Sequence, residues 1–104
     1  MNVIVWEYQV KAEYLEDFEK IYGAGGSWAD LFQRENGYLG TEMLHDPQNP
    51  QGYITIDRWV SSQTYDNFLV RCQEEYETLG AECNELTDRE TLLGKWETID
   101  PETR

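Results

Sequence analysis

One acidic residue lies in the middle of an apolar segment and is the first candidate for chemistry. Asp57 belongs to YITIDRWV, residues 53–60, whose β-branched and aromatic residues predict a strand. Alternate residues of a strand share a face, so Asp57 faces the same side as Trp59. Burial among apolar neighbours would raise the pKa of this carboxyl group and make it a general base. The alternative is a structural ion pair between Asp57 and either Lys95 or Arg71.

Two aromatic residues and one histidine could assist such a base. Trp59 would stack on or hydrogen-bond a flat aromatic ligand, and Tyr65 would donate a hydrogen bond to a developing oxyanion. The alternative for both rings is core packing. His45 is the single histidine of the chain, and its unperturbed pKa lies near neutrality, which makes it a second candidate base. The alternative for His45 is a surface position at the mouth of a loop.

A glycine-rich segment, YGAGGSWADLF at residues 22–32, raises the question of phosphate binding. Phosphate-binding loops follow a strand and usually bring a lysine, whereas this segment follows an acidic helical pattern. We therefore predict a loop in which Gly23 ends one helix and Ser27 caps the next. The segment would form a lid over one end of a cavity, packed down by Trp28 and Phe32.

The composition disfavours several classes of function. The 104 residues include 21 acidic and 8 basic side chains, a net charge of −13, which argues against nucleic acid and anionic membranes as partners. No apolar run is long enough to cross a bilayer and no signal-peptide pattern is present, so we expect a cytoplasmic protein. Cys72 and Cys83 are expected to be free, buried thiols, and with one histidine a metal site is not expected.

The elements that must position these side chains follow from periodicity and turn signals. Strands are predicted over residues 3–10, 38–45, 53–60 and about 92–98, and helices over about 13–22, 28–33 and about 61–86. Ser61, Ser62 or Thr64 can cap the last helix. Its apolar stripe consists of Tyr65, Phe68, Leu69, Cys72, Tyr76, Leu79, Cys83 and Leu86. The order β-α-β-β-α-β predicts an α+β, ferredoxin-like fold: a four-stranded antiparallel sheet with helices on one face. We interpret residues 1–104 as a single domain, with a core over about 3–98 and a polar tail at 99–104.

The predicted sheet is apolar on both faces. In the first strand, Ile4, Trp6 and Tyr8 lie on one side, and Val3 and Val5 lie on the other. Helices cover one face only, and the sequence offers no further element to cover the second. We therefore predict a symmetric homodimer that pairs sheet against sheet.

Three segments, VIVWEYQVKAEYLEDFEKIYG, GYLGTEMLHD and YITIDRWVSSQTYDNF, together resemble the antibiotic biosynthesis monooxygenase (ABM) family of the dimeric α/β-barrel superfamily. The resemblance covers residues 3–97, and its most specific part is the motif DRW at 57–59 with Ser61 and Tyr65 after it. It implies a dimeric α/β barrel with a pocket between helices and sheet in each monomer. Some members oxidise phenols or quinols with O₂ without a metal or flavin, and others degrade haem.

The resemblance also implies roles for single residues. Phenol-oxidising members pair a Trp of the third strand with a Tyr six residues on, which Trp59 and Tyr65 match. Those members carry an Asn four residues before the Trp, where this chain has Thr55. Haem-degrading members use a His on the second helix, and residues 61–87 contain none. The resemblance therefore favours phenol oxidation over haem degradation.

Two functions follow as expectations. The first is a cofactor-independent monooxygenase that oxidises a small phenol or quinol with O₂, with catalysis assigned to Trp59, Tyr65, Asp57 and His45. Its substrate contacts are assigned to Trp59, Tyr53, Thr55, Trp28, Phe32 and Phe68. The second, favoured by Thr55, is a non-catalytic homodimer with a binding or structural role. A small aromatic ligand and a second copy of the chain are the expected partners, and no cofactor or metal is expected.

Overall fold

The computed structural model describes residues 1–99, which form one antiparallel sheet with helices packed on one side. The elements are β1 (Asn2–Val10), α1 (Leu15–Tyr22), α2 (Ser27–Phe32), β2 (Tyr38–His45), β3 (Gly52–Trp59), α3 (Ser62–Arg71), α4 (Gln73–Cys83) and β4 (Thr87–Glu97). Short 3₁₀ turns at Ala12–Tyr14 and Asn84–Leu86 precede α1 and β4. The strand order β2-β3-β1-β4 confirms the ferredoxin-like fold. Within these residues, no helix combines the length and hydropathy needed to cross a membrane.

The helix predicted over about 61–86 is divided into two. α3 and α4 meet at Cys72, whose φ of −116° and ψ of 25° lie outside helical values. The apolar stripe continues through the bend, because Phe68 packs into one core cluster and Cys83 into another. Periodicity reports the buried face, which is the same for a straight and a bent helix. The predicted face is confirmed and the predicted continuity is wrong.

Helix ends follow the sequence signals at two of three positions. Gly23 ends α1, and the hydroxyl of Ser61 caps α3 by accepting a hydrogen bond of 3.1 Å from the backbone N–H of Thr64. Gly26 is the N-cap of α2, and no side chain caps this helix. The prediction that Ser27 is the cap is therefore wrong, since Ser27 is already the first helical residue.

Gly26 is required by a close approach of the backbone. A Cβ atom at this position would lie 2.2 Å from the carbonyl oxygen of Lys20 and 2.3 Å from that of Ile21. At Gly25, by contrast, an added Cβ meets nothing within 4 Å. The glycine-rich segment thus lets the start of α2 pack against the end of α1.

The last strand is longer than the sequence pattern predicts. β4 begins at Thr87 rather than at about residue 92, because its polar first half pairs with β1 as far as Val10. Backbone pairing with a neighbouring strand here outweighs weak strand propensity. The predicted polar tail lies, from residue 100 onward, outside the described residues.

The core between sheet and helices divides into two clusters. The first contains Ile4, Leu31, Phe32, Trp59, Tyr65, Phe68 and Cys72. The second contains Tyr8, Val10, Phe18, Tyr22, Tyr53, Cys83 and Leu86. Trp6 and Trp28 pack against both clusters and therefore lie at their junction. Both cysteines are buried and free, as predicted.

The opposite face of the sheet carries apolar side chains that are only partly buried. Val3 and Val5 of β1 lie there with Ile56 of β3 in the register of the sheet. Trp96 of β4 pairs with Val3 and is 52% exposed. The predicted second apolar face is therefore present, and no element among residues 1–99 covers it.

Candidate functional site

A cavity of about 170 Å³ opens between the sheet and the helices, at the junction of the two core clusters. Most of its lining is aromatic: Trp6, Tyr8, Tyr22, Trp28, Phe32, Tyr65 and Tyr76. The remaining lining residues are Thr41, Thr55, Asp57, Gly80 and Glu90. The volume is below the roughly 300 Å³ at which sites for drug-sized ligands begin, so the cavity suits a small ligand.

Asp57 is the buried carboxylate of this cavity. It is 8% exposed, and its Oδ1 accepts a hydrogen bond of 2.6 Å from the hydroxyl of Thr41. Within residues 1–99 it forms no salt bridge with Lys95 or Arg71, and Arg71 pairs with Glu35 instead at 2.6 Å. The predicted alternative of a structural ion pair is therefore wrong. Burial raises the pKa of Asp57 to about 6, and the hydrogen bond from Thr41 offsets part of that rise.

A bulge in β2 creates the support for Asp57. Tyr38 pairs with Trp59 and Thr41 pairs with Asp57, with a register shift between them at Gly40, where φ is 128°. Regular alternation would put Tyr38 and Thr41 on opposite faces of the sheet, and the bulge brings both to the helix side. The hydroxyl of Tyr38 then lies 2.5 Å from that of Thr41. A relay of two hydroxyl groups therefore ends on Asp57.

Tyrosine hydroxyl groups supply further polar contacts in the cavity. Tyr8 lies on β1, and its hydroxyl is 3.0 Å from that of Thr55 on β3. The hydroxyl of Tyr22 donates to Glu90 at 3.3 Å. Burial raises the pKa of Tyr8 and of Tyr65 above the usual 10.0. Both phenols therefore stay protonated at neutral pH and can donate hydrogen bonds.

The structure brings five of the predicted site residues to the cavity wall: Trp28, Phe32, Thr55, Asp57 and Tyr65. Trp28 and Phe32 belong to α2, and their position agrees with the expectation that this segment covers one end of a cavity. Thr55 stands where the resembling enzymes have Asn. Its hydroxyl group is hydrogen-bonded to the hydroxyl group of Tyr8.

Trp59 and Phe68 lie behind this wall. Both side chains are 0% exposed, and the ring of Trp59 packs edge-on against that of Tyr65 at a centroid distance of 5.3 Å. The indole Nε1 of Trp59 has no hydrogen-bond partner among the described residues. Trp59 is therefore placed to hold Tyr65 rather than to touch a ligand.

His45 and Tyr53 belong to a separate surface depression. The exposed ring of His45 stacks on Tyr53 at 4.5 Å, and its Nε2 donates to the carbonyl oxygen of Pro50 at 2.8 Å. The hydroxyl of Tyr53 donates to Glu19 at 2.5 Å. The structure does not bring either residue to the cavity beside Asp57.

Several lining residues escaped the sequence patterns for identifiable reasons. Thr41 reaches the cavity through a bulge, and Glu90 belongs to the part of β4 that precedes the strand predicted over about 92–98. Tyr76 belongs to the predicted apolar stripe of the last helix, but that stripe alone does not identify it as a cavity residue. Alternation predicts that Trp6 and Tyr8 share one face of the sheet, which is the helix side in the structure. Their closeness to the site depends on strand register, which no local pattern reports.

The chain is similar to known proteins in its family pattern and in its fold. Residues 1–71 match the family model described as antibiotic biosynthesis monooxygenase. No curated protein matches the chain. A variant of SnoaB, a cofactor-independent oxygenase from Streptomyces nogalater, is similar with a TM-score of 0.79 and 16% identity, over 95% of this chain and 93% of that one.

Two further solved structures have a similar fold. A candidate antibiotic biosynthesis monooxygenase from Deinococcus radiodurans aligns with a TM-score of 0.76 and 13% identity, over 96% of this chain and 94% of that one. A conserved protein from Methanosarcina mazei aligns with a TM-score of 0.70 and 15% identity, over 94% and 92% of the two chains. At these identities the likeness of the structures shows a shared fold alone.

Proposed function

The chain belongs to the antibiotic biosynthesis monooxygenase family, and we propose that it is a cofactor-independent monooxygenase that oxidises a small phenol with O₂. One observation carries the proposal: Asp57, a buried carboxylate without a salt bridge in residues 1–99, faces a cavity lined mainly by aromatic rings. The similar fold of SnoaB, a cofactor-independent oxygenase, supports it. The cavity volume of about 170 Å³ favours a substrate of one or two rings.

Asp57 is suited to act as the general base. A carboxyl group with a pKa of about 6 is largely ionised at neutral pH, yet it accepts a proton more readily than an exposed aspartate does. The aromatic lining would hold a flat ring by stacking and edge contacts. In this arrangement the phenolic O–H of the substrate donates to Asp57, and the proton passes to the carboxylate.

The oxidation itself needs only the phenolate and O₂. The phenolate transfers one electron to O₂, and the resulting radical and superoxide combine to form a C–O bond at a ring carbon ortho or para to the phenolic oxygen. That ring carbon then loses its hydrogen as a proton while the O–O bond breaks. The products are a quinone, which keeps one oxygen atom of O₂, and water, which takes the other together with two protons.

Tyr65 would stabilise the charge that develops on oxygen. Its hydroxyl group remains protonated because burial raises its pKa, so it can donate a hydrogen bond to an oxyanion in the cavity. Trp59, which packs against the Tyr65 ring at 5.3 Å, is a positioning residue in this scheme.

The experiment is O₂ uptake with naphthalen-1-ol, whose carbon para to the hydroxyl is free. We expect one 1,4-naphthoquinone per O₂ and no hydrogen peroxide. Asp57→Asn should lower kcat/KM at least about 100-fold, whereas Asp30→Asn, the same change at an exposed site on α2, should leave it unchanged. Peroxide as the product, or equal rates for both variants, would contradict the proposal.

A non-catalytic role is the second candidate, and one observation favours it. The Trp and Tyr that match the family's pairing do not both face the cavity, since Trp59 is 0% exposed. A binding protein of this kind would bind small phenols without consuming O₂. The same oxygen-uptake measurement, combined with calorimetric titration of naphthalen-1-ol, separates the two functions.

We also propose that the chain forms a homodimer through the uncovered sheet face. The partly buried valines and isoleucines of that face, together with exposed Trp96, form an apolar surface. Sedimentation at micromolar concentration should give a dimer. Ile56→Glu on this face should give a monomer, whereas Val70→Glu on α3, where Val70 is 78% exposed, should not. A monomeric wild-type protein would refute the dimer.

A further inference from the structure

The charged groups around the cavity are unevenly distributed. Asp57 and Glu90 line it, and no lysine, arginine or histidine of residues 1–99 does. Asp57 lies in the interior at 8% exposure, whereas Glu90 is exposed and marks the mouth. The cavity therefore presents negative charge at two separate points.

Within residues 1–99, no salt bridge compensates the negative charge of Asp57. Its hydrogen bond comes from the neutral hydroxyl of Thr41, and the salt bridges of residues 1–99 involve other carboxylates. Buried charges in proteins are normally paired, because an unpaired charge loses its hydration without replacement. A positively charged ligand group would lower that cost through the field of both carboxylates.

The aromatic lining favours the same kind of ligand. The faces of Trp, Tyr and Phe rings carry negative potential and attract ammonium groups. The Tyr65 ring of this wall already contacts an ammonium group, because the Nζ of Lys95 lies 5.1 Å from its centroid. Trp6, Trp28 and Tyr22 are further rings of the lining.

We propose that the substrate of this cavity is a phenol that carries a protonated amine on a short side chain. Its phenolic hydroxyl group faces Asp57, and its ammonium group lies towards Glu90 at the mouth. This inference deepens the proposed oxygenase function, on which it rests for the identification of the substrate cavity.

The spacing of the two carboxylates fits an elongated ligand. Asp57 pairs with Ile4 on one side of β1, and Glu90 pairs with Tyr8 on the other. These positions are four residues apart along β1, about 13 Å, and two strand spacings apart, about 10 Å. The Cα atoms of the two acids are therefore about 16 Å apart. Both side chains extend into the cavity between them. A ligand that contacts both carboxylates must be elongated, as a phenol with a short side chain is.

The test compares three phenols that share one skeleton and differ in charge. The probes are 3-(2-aminoethyl)phenol, 3-ethylphenol and 3-(3-hydroxyphenyl)propanoate, titrated calorimetrically at pH 7.5 without turnover under anaerobic conditions. We expect the ammonium compound to bind at least tenfold more tightly than 3-ethylphenol, and the carboxylate to bind most weakly. Equal affinities, tighter binding of the neutral compound, or no binding of any probe would overturn the inference.

A matched pair of variants separates a local effect from the overall negative charge. Glu90→Gln should weaken binding of 3-(2-aminoethyl)phenol about tenfold and leave that of 3-ethylphenol unchanged. Glu16→Gln removes the same charge at an exposed position on α1 and should change neither affinity. If both variants weaken binding equally, the attraction comes from the net charge of the protein and the proposed contact is wrong.

Binding and turnover can fail independently. Tight, charge-selective binding without O₂ uptake would contradict the oxygenase and leave the ligand class standing. O₂ uptake with naphthalen-1-ol but no charge selectivity in binding would contradict the ligand class and leave the oxygenase function standing.

Discussion

The hydroxyl group of Thr41 on β2 lies 2.6 Å from Oδ1 of Asp57 on β3, directly across the strand pair. It is the side-chain donor that stabilises the charged form of this buried carboxylate, and burial acts in the opposite direction. The balance leaves the pKa of Asp57 at about 6. The basicity of the proposed catalytic group thus depends on one neutral neighbour.

Removal of the Thr41 hydroxyl group should raise the pKa of Asp57 further. Thr41→Val keeps the shape of the side chain and deletes the donor, so the charged carboxylate loses its hydrogen bond. Carboxyl ¹³C NMR titration should show a midpoint above 6 in this variant. Thr55→Val, whose lost hydroxyl contacts Tyr8 instead, is the matched control and should leave the midpoint in place. Equal midpoints in both variants would mean that Thr41 does not tune Asp57.

Replacement of Asp57 should make the fold more stable at neutral pH. Its pKa rises from 3.8 to about 6 on folding, so ionisation costs the native state up to about 3 kcal/mol. That cost is absent below about pH 4 and complete above about pH 6. Asp57→Asn should therefore raise the free energy of unfolding by about 1–3 kcal/mol at pH 7.

The gain from Asp57→Asn should disappear as the pH falls. Urea unfolding of the variant and the wild type from pH 4 to pH 8 measures the difference, which should shrink through the interval between the two pKa values. A variant less stable than the wild type at pH 7, or a difference that does not vary with pH, would show that Asp57 is not a buried charged group.

The glycine-rich segment offers a test of close packing between α1 and α2. Gly26→Ala places a Cβ within 2.3 Å of two carbonyl oxygens, and overpacking of this kind costs about 1–3 kcal/mol. Gly25→Ala meets no atom within 4 Å and should be neutral or stabilising by up to about 1 kcal/mol. Urea denaturation of the two variants compares them directly. Equal stabilities would show that the two helices can separate without cost.

Trp59 and Tyr65 should have separable effects. Trp59→Ala should lower the free energy of unfolding by about 3–5 kcal/mol because it empties a fully buried site. Trp59→Phe should cost less, since it also removes the unpartnered indole N–H.

Steady-state kinetics should show nearly unchanged KM for Trp59→Phe and a kcat about 100-fold lower for Tyr65→Phe. A large rise in KM for Trp59→Phe would place its ring against the substrate.

Local sequence patterns predict the order of elements, the two faces of the sheet and the central acid. Alternation in residues 3–10 and 53–60 separates helix-facing from outward-facing side chains, and it isolates Asp57 as a carboxylate among apolar neighbours. Hydrophobic periodicity also identified Tyr65, Phe68 and Tyr76 as one buried stripe. These are local properties, because neighbouring residues of one element set the direction of each side chain.

Which of these residues meet depends on contacts between distant segments of the chain. The bulge at Gly40 places Thr41 beside Asp57, and beyond the bend at Cys72 helix α4 extends from the first core cluster to the second, with the cavity at their junction. The same packing buries Trp59 behind Tyr65 and leaves His45 at another surface. Register and helix bending arise from contacts between residues far apart in the chain, so no periodicity within a single segment can report them.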